Sequence, residues 1–531
     1  MITKVSIQNY RVFKSFTFDC REGLNIIVGN NDAGKSTILE AIHLALTKKL
    51  NGRYVDTELS PHLFNRDVVR EYVQGVRDKL NPTLPTIRIE LCLNEDERAF
   101  QELRGTNNID SSECVGVGLE ISFDDEYRSQ YQHLISDPSR VRTVPIEYYK
   151  VFWYSFAFEA MTARSVPIRP AFVDATTIRL QAGSDHYLQS IINDGLSDAV
   201  QAELAVAYRH LKEHFAEEAA IKTINERLGA RQGHMSDKTI TVGVDLSQKG
   251  NWEASLTPHV DDIPFTYIGK GEQSTLKLMF ALDRDTADSH VILIEEPENH
   301  LSFSRLNTLL RRITEHCDGK QLFVTTHSAY VLNKLGIGNV VLLNNSRIEF
   351  LTNLPANTQD YFRKMSGYDT LRLLLAKRSI LVEGPSDDLV VQKAYLAVHK
   401  RLPIEDGVDV INVRGLSFAR FLDIAKPLGI ATVVVTDNDG DYAMKITAKY
   451  APYICSYIRI CADQDNALRT LEDQLLACNS RDVLNRIFGR SDGTDRELLD
   501  YMKSNKADCA LRIFDTTESI AFPTYIQDAI A

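Results

Sequence analysis

Asn25-Ile-Ile-Val-Gly-Asn-Asn-Asp-Ala-Gly-Lys-Ser-Thr-Ile-Leu-Glu-Ala-Ile42 is the stretch whose reading decides how the rest of the chain is understood. The apolar, β-type run Leu24 to Val28 stops at Gly29, and a helical pattern opens after Gly34 with Ile38, Leu39 and Ile42 on one face. Between them lies G-x-x-x-x-G-K-S, a phosphate-binding loop. Gly29 and Gly34 let the backbone curl so that its N–H groups point inward, where a side chain would collide with an anion. Lys35 is then expected at the β and γ phosphates of ATP and Ser36 on Mg²⁺, with the positive end of the helix facing the charge. Asn30, Asn31, Asp32, Ala33, Gly34, Lys35, Ser36 and Thr37 form the predicted nucleotide-binding set.

Working outward, 531 residues exceed one compact core, so two or three domains are expected. An apolar share of 44% and a charged share of 25% are globular values that exclude a mainly disordered or fibrous chain. No apolar run reaches the length of a membrane span, and Lys4 and Arg11 interrupt any signal-peptide core, so a cytoplasmic protein without membrane contact is expected. Eight cysteines scattered from Cys20 to Cys509, none in a C-x-x-C pair, suggest neither a disulfide framework nor a zinc site. The net charge of −12 excludes a generally basic surface. Nucleic acid would have to be met by a local patch or through cations that neutralise facing carboxylates.

From the N-terminus, Val5 and Ile7, then Phe16 and Phe18, read as paired strands around Asn9-Tyr10-Arg11. Residues 51 to 85, with three prolines, read as a surface excursion, and Ile87 to Leu93 and Val115 to Phe123 as strands. From 150 to 235 the pattern turns helical, most clearly between Asp185 and Leu228. Nucleotide chemistry returns at Tyr267-Ile-Gly-Lys-Gly-Glu-Gln-Ser274, which places Gly271, Gln273 and Ser274 at the entrance of a helix expected over Thr275 to Leu282. A buried strand, Val291 to Ile294, then ends in Glu295-Glu296-Pro297-Glu298. One acid, Glu295, can complete the Mg²⁺ shell and the other, Glu296, can orient the attacking water. Gln321 to Thr325 is a further strand ending at His327, the expected sensor of the γ-phosphate.

Together these segments resemble the ATP-binding-cassette ATPases of the chromosome-maintenance and recombination type. The resemblance implies that ATP is bound between two subunits, Gly269 to Ser274 of one closing on Gly29 to Ser36 of the other. Two departures stand out: the signature reads Gly-Lys-Gly-Glu-Gln, and Glu295 occupies a position where most relatives have aspartate. No long heptad stretch is present, which excludes coiled-coil arms.

Beyond residue 375 the periodicity starts afresh. Ser379 to Val382 is a buried strand ending at Glu383, a helix follows from Ser386 to Val398, and strand Val408 to Val413 and helix Phe418 to Pro427 lead to strand Ala431 to Val435. That last strand ends in Thr436-Asp437-Asn438-Asp439-Gly440-Asp441. Alternating strands and helices imply a parallel sheet with functional groups at the carboxyl ends of its strands. Glu383, Asp437 and Asp439 gathered there would repel one another unless a cation joined them, and oxygen ligands suit Mg²⁺ or Mn²⁺.

This block resembles the toprim domain of topoisomerases, primases and certain nucleases. An ATP-binding-cassette head followed by toprim resembles the overcoming-lysogenisation-defect family of ATP-dependent nucleases, which includes effectors of bacterial anti-phage systems. The resemblance implies two-metal chemistry and hence further acids, for which Asp387, Glu472 or Asp473, and Asp441 are the candidates, and a late lysine near the scissile phosphate, for which Lys506 is the nearest match. It also implies homodimers or higher oligomers and, as partners, helicase-like proteins or a retron reverse transcriptase with its DNA–RNA product.

The expected architecture is α/β throughout. Residues 1–150 and 239–375 make an ABC-type P-loop ATPase, 151–238 a helical insertion serving dimerisation, and 376–531 a toprim nuclease domain with a helix-flanked parallel sheet. The expected activity is ATP hydrolysis together with divalent-metal-dependent cleavage of DNA. The catalytic candidates are Glu296, His327, Glu383, Asp437, Asp439 and Lys506, and the metal candidates Ser36, Glu295, Glu383, Asp387, Asp437, Asp439, Asp441 and Glu472. The rival reading is an ATP-switched binding or assembly module with a vestigial toprim site.

Overall fold

The computed structural model describes residues 1–531 apart from 81, 96–97, 163–164, 167, 175–179, 182–183, 186–195, 230–240, 245–251, 253–255, 257, 284–289, 300, 316–318, 345–346, 352–353, 366, 368 and 416. The first strands are β1 (Ile2–Tyr10), β2 (Phe13–Asp19) and β3 (Leu24–Gly29), followed by helix α1 (Lys35–Thr47). Asn9 and Arg11 both take positive φ at the turn between β1 and β2. Arg11 is tied to Glu40 of α1 at 2.6 Å, so the turn is anchored on the helix that follows the phosphate loop.

Residues 51 to 85 are more structured than a surface excursion. Helix α2 (Arg66–Arg77) is capped by Asn65, and its Tyr72, Val73 and Val76 join the core, because the apolar positions repeat at helical spacing. Strands β4 (Ile87–Leu93), β5 (Cys114–Phe123) and β6 (Tyr149–Ser155) complete an antiparallel sheet in the order β2-β1-β4-β5-β6. Strand β7 (Pro170–Asp174) then enters a second, mainly parallel sheet beside Val291–Glu295.

The boundary expected at residue 150 is therefore corrected: it cuts through β6, and the ATPase lobe runs on to β7. An aromatic run such as Val151 to Phe158 fits a strand at a sheet edge as readily as a new domain. Within the stretch expected as a helical insertion lie α3 (Asp198–Ala216) and α4 (Ala219–Gly229); residues 186–195 and 230–238, which share that expectation, lie outside the described residues.

Helix α5 (Lys270–Asp283) begins five residues ahead of its expected start, because Gly269 O already accepts from Gln273 N at 3.0 Å. Then come β8 (Val291–Glu295), α6 (Phe303–Glu315), β9 (Gln321–Thr325), α7 (Ala329–Leu335), β10 (Val340–Asn344) and β11 (Arg347–Phe350). The second sheet has the order β7-β8-β9-β3-β10-β11, with only β11 antiparallel. Its strands β3, β8 and β9 are buried on both faces, as their unbroken Val/Ile/Leu runs require.

Two connector helices, α8 (Ala356–Lys364) and α9 (Thr370–Leu375), lead to the third sheet. It comprises β12 (Arg378–Val382), β13 (Val408–Asn412), β14 (Ala431–Val435) and β15 (Ile458–Cys461), with α10 (Pro385–His399) after β12 and α11 (Phe418–Ala425) after β13. All strands are parallel in the order β13-β12-β14-β15. The carboxyl-terminal helices α12 (Leu471–Cys478), α13 (Lys506–Asp515) and α14 (Thr524–Ile530) pack on one face of this sheet.

The other face is not separate from the ATPase. Ile26, Val28, Ile294 and Val324 of the ATPase sheet, Leu332 of α7, and Leu381, Ile411, Val434 and Phe421 of the third sheet and its helix belong to one continuous apolar core. Inside it, Thr370 donates to Asn333 at 2.7 Å, both residues fully buried. Arg420 donates to Thr358 at 2.7 Å, and Thr358 to Asp423 at 2.5 Å. The connector helices are thus bonded to a helix of each lobe, α9 to α7 and α8 to α11. The fold is a P-loop ATPase joined to a toprim-type α/β domain.

Candidate functional site

The nucleotide site is assembled where β3, β9 and β8 end side by side. Gly29 is required there: a Cβ would lie 2.7 Å from the Leu343 carbonyl of the neighbouring strand. Gly34 takes φ +104, and a Cβ would meet the Phe13 ring at 2.5 Å. The two glycines are therefore demanded by strand packing and backbone conformation as well as by room for an anion. Asn30, Asn31 and Asp32 are exposed, Ala33 N closes the turn onto Asn30 O at 3.2 Å, and Thr37 is buried at the foot of the helix. Lys35 Nζ folds back onto the carbonyls of Gly29 and Asn30, each at 2.9 Å, and burial lowers its pKa.

Ser36 donates to Glu295, which brings the hydroxyl and carboxylate expected to share Mg²⁺ into direct contact across 259 residues of sequence. The donor set, one alcohol and one carboxylate at the rim of a phosphate loop, fits that ion. Glu296 follows with φ 43, a left-handed conformation that costs of order 1 kcal/mol or more in a non-glycine residue and is sustained by surrounding bonds. Its N–H donates to Thr325 O at 3.0 Å, one carboxylate oxygen accepts from Asn299 at 2.6 Å, and the other lies 3.3 Å from His327 Nε2. Glu298, overlooked in the sequence, holds the histidine loop: its Oε1 accepts from Thr326 Oγ1 and His327 N, both at 2.8 Å. Burial raises its pKa, and its other oxygen is buried without a hydrogen-bond partner.

At the signature segment, Gly271 lies in the first turn of α5. Gln273 is corrected: its amide is buried and donates to Phe265 O at 2.6 Å, so it fastens the entrance of the helix rather than facing a ligand. A glutamine among glycines signals contact with an anion only while it is assumed exposed. The side chain of Ser274 lies outside the described residues.

The toprim-type site sits at the carboxyl ends of β12 and β14. With strand order β13-β12-β14-β15, this is the point where the chain turns from one side of the sheet to the other, and a crevice opens there. Glu383 accepts from the Thr436 hydroxyl and, at 3.2 Å, from Asp437 N, so the two strand ends are bonded to each other through it. Asp387, on the first turn of α10, accepts from Gly384 N at 3.1 Å. Glu472 is brought in by α12 and is buried; Lys506, first residue of α13, lies 3.2 Å from it.

The charges of these groups act on one another. Burial, then the charges of Asp387, Glu383 and Glu472, push Asp437 up to about 8, against a downward pull from Lys506. Burial, Glu383 and Glu472 push Asp387 up to about 7. No three of the described His, Cys, Asp or Glu side chains already converge as a finished coordination sphere. Asp437 Oδ1 is nevertheless buried with no hydrogen-bond partner, and an all-carboxylate donor set around it fits a hard divalent cation.

Three other expected ligands stand apart. Asp439, with φ 51, is carried outward by the turn; its side chain is 64% exposed and 3.8 Å from Lys445. Asp441 caps the following helical turn by accepting from Met444 N at 3.1 Å. Asp473 is engaged by Lys503 at 2.7 Å and by Thr470 at 3.0 Å. Thr436, which no motif flagged, is part of the site.

Comparison with known proteins follows this division of the chain. Residues 4–137 match a family model of the AAA domain, residues 258–333 a second AAA-domain model, and residues 374–439 the overcoming lysogenization defect protein-like TOPRIM domain. The chain is 21% identical over 461 residues to Endonuclease GajA of Bacillus cereus (strain VD045), covering 82% of this chain and 75% of that protein. It is 20% identical over 346 residues to an ATP/GTP phosphatase of Helicobacter pylori, covering 62% of this chain and 85% of the other. Among solved structures, the C-terminal region of the Burkholderia pseudomallei OLD protein aligns with 29% of this chain and 96% of its own at 18% identity and a TM-score of 0.25.

Proposed function

We propose that the chain, whose residues 374–439 match the overcoming lysogenization defect protein-like TOPRIM domain, is an overcoming-lysogenisation-defect family protein acting as an ATP-hydrolysing, divalent-metal-dependent DNA endonuclease. The observation that carries the reading is the set Glu383, Asp387, Asp437 and Glu472 with Lys506 at the turning point of the toprim sheet. Four carboxylates gathered at one sheet edge, Glu472 buried and the others partly buried, are costly unless a cation is to be held there.

In the ATPase, Lys35 would leave the Gly29 and Asn30 carbonyls for the phosphates, and Ser36 and Glu295 would hold Mg²⁺. Glu296 would orient the attacking water and accept its proton, with His327 beside it at the γ-phosphate. At the toprim site Glu383, Asp387, Asp437 and Glu472 would hold Mg²⁺ or Mn²⁺. A divalent cation bound there supplies an activated water and charge stabilisation for phosphodiester cleavage. Lys506 would place its ammonium against the scissile phosphate once the carboxylates are neutralised.

Heads that close on ATP in pairs, with the first turn of α5 against a neighbour's phosphate loop, would make the active form a dimer or higher oligomer. Defence against phage, with a helicase-like protein or a retron reverse transcriptase and its DNA–RNA product as controlling partner, is the cellular role this reading supports. The test is cleavage of plasmid and linear DNA by the purified chain with Mg²⁺, Mn²⁺ or EDTA, beside the Asp437→Asn variant. Metal-dependent cutting that Asp437→Asn abolishes is expected. Equal cutting by the variant would overturn the assignment.

A further inference from the structure

Past Asp437 the chain runs along the mouth of the toprim crevice, and the charges there are unevenly committed. The acids are turned to backbone donors: Asp441 to Met444 N at 3.1 Å, Asp463 to Asp465 N at 2.8 Å, and Asp465 to Ala467 N at 2.8 Å. The cations are not. Lys445 has only the loose 3.8 Å approach to Asp439, and Lys449 lies over the Tyr450 ring at 4.9 Å. Arg469 has its guanidinium above Gly440, where a Cβ would stand 3.1 Å from its Nε. All three are exposed.

Lys445 and Lys449 are one turn apart, beside or within a π-helical turn, Ala443–Ala448. Such turns carry an extra residue and are found mostly at functional sites. Ile446 and Tyr450 of this segment pack into the core shared with the ATPase, on the face opposite α10 and α12, so the segment that bears the lysines flanks the strand ends from the other side of the sheet. Asn438 donates to the carbonyls of Asp463 and Asp465, both at 2.9 Å, and Tyr442 N to Asn466 at 2.9 Å, so the segment bearing Arg469 is fastened to the one bearing the lysines.

We propose that Lys445, Lys449 and Arg469 form a rail for the phosphate backbone of DNA, which positions the strand over the toprim carboxylates. This rests on the reading of that site as a nuclease. In a chain of net charge −12, three exposed cations whose one close carboxylate among the described contacts is the 3.8 Å approach of Asp439 to Lys445, on one braced edge of an acidic site, are suited to an anionic polymer. They are positioning residues that touch the strand away from the bond being cut.

The experiment is fluorescence polarisation of labelled duplex DNA with the full-length protein in Ca²⁺, at salt concentrations from low to physiological, for Lys445→Gln, Lys449→Gln, Arg469→Gln and the triple variant. Lys400→Gln, at the far end of α10 and about 22 Å along it, is the control. Each rail substitution should make the slope of log affinity against log salt shallower by about 0.9 and weaken binding roughly eightfold at 0.1 M salt. ATP turnover and melting temperature should stay at the wild-type values. Unchanged slopes in the triple variant, with wild-type DNA binding intact, would overturn the rail and leave the nuclease reading standing. A wild-type chain that neither binds nor cuts DNA in any cation would overturn both.

Discussion

Without a divalent cation this protein should lose stability as pH rises, and the crowding of carboxylates sets how much. Asp437 and Asp387 are held near 8 and 7, against an ordinary aspartate value of 3.8. The folded chain therefore keeps protons that the unfolded chain releases, and stability is lost as pH climbs from the unfolded value through the folded ones. Four units on Asp437 alone correspond to a ceiling of about 6 kcal/mol, and the pair together to less than the sum, because neutralising one relieves the other. Half of that ceiling, set against the unfolding entropy of a 531-residue chain, would lower the melting temperature by about 3 °C. In EDTA the protein should melt a few degrees lower at pH 8 than at pH 6, and Mg²⁺ or Mn²⁺ should restore the difference mainly at pH 8. Asp437→Asn should be more stable than wild type in EDTA at pH 8 and gain nothing from either cation. The assay is thermal denaturation in a two-by-two grid of pH and cation. Equal melting temperatures at both pH values in EDTA, together with a destabilised Asp437→Asn, would refute the reasoning.

Lys35→Ala should weaken ATP binding, whereas Glu296→Gln should bind ATP and hydrolyse it slowly; undiminished phosphate release by Glu296→Gln would move the water-orienting role elsewhere. Glu298→Ala removes two bonds of 2.8 Å that hold the histidine loop, so turnover should fall about ten- to a hundredfold with little change in ATP affinity, measured by phosphate release and nucleotide titration. Mixing Lys35→Ala chains with Ser274→Ala chains should yield at most one working site per dimer, and full ATPase activity of Ser274→Ala alone would sink the shared-site idea. Asp437→Ala should abolish DNA cleavage and spare ATP hydrolysis, while Asp439→Ala, altering an exposed side chain, should lower cleavage only in part; equal loss in both would return Asp439 to the metal site.

Both sites were legible where chemistry sits within a few residues of a strand end. The phosphate loop, Glu295, Glu296 and His327 announce themselves because parallel strands deliver their functional groups to one edge, and Glu383 and Asp437 do so for the same reason. The convergence of Glu472 and Lys506 on Asp437 was legible only as candidates, since it depends on how α12 and α13 dock after the sheet has closed. Asp439 misled because the Asp-x-Asp spacing says nothing of the left-handed turn that swings the second acid outward. Gln273 misled likewise, being exposed in the motif and buried in the fold. Glu298 and Thr436 carry no motif at all; their roles arise from hydrogen bonds between segments 28 and 53 residues apart.

The core common to the ATPase sheet and the toprim sheet has a genetic consequence. A Leu→Ala change at Leu332 or Leu381, inside that core, costs roughly 2–5 kcal/mol in a medium that both sheets depend on. Changes at Leu119, under the antiparallel sheet, or at Leu475, under the carboxyl-terminal helices, are confined to one lobe. In a screen for heat-sensitive alleles scored separately for ATP turnover and DNA cutting, the first group should fall into a single class that loses both at one temperature, and the second into two classes that lose them apart. Suppressors should sort the same way, with a compensating change in either lobe able to rescue alleles of the shared core.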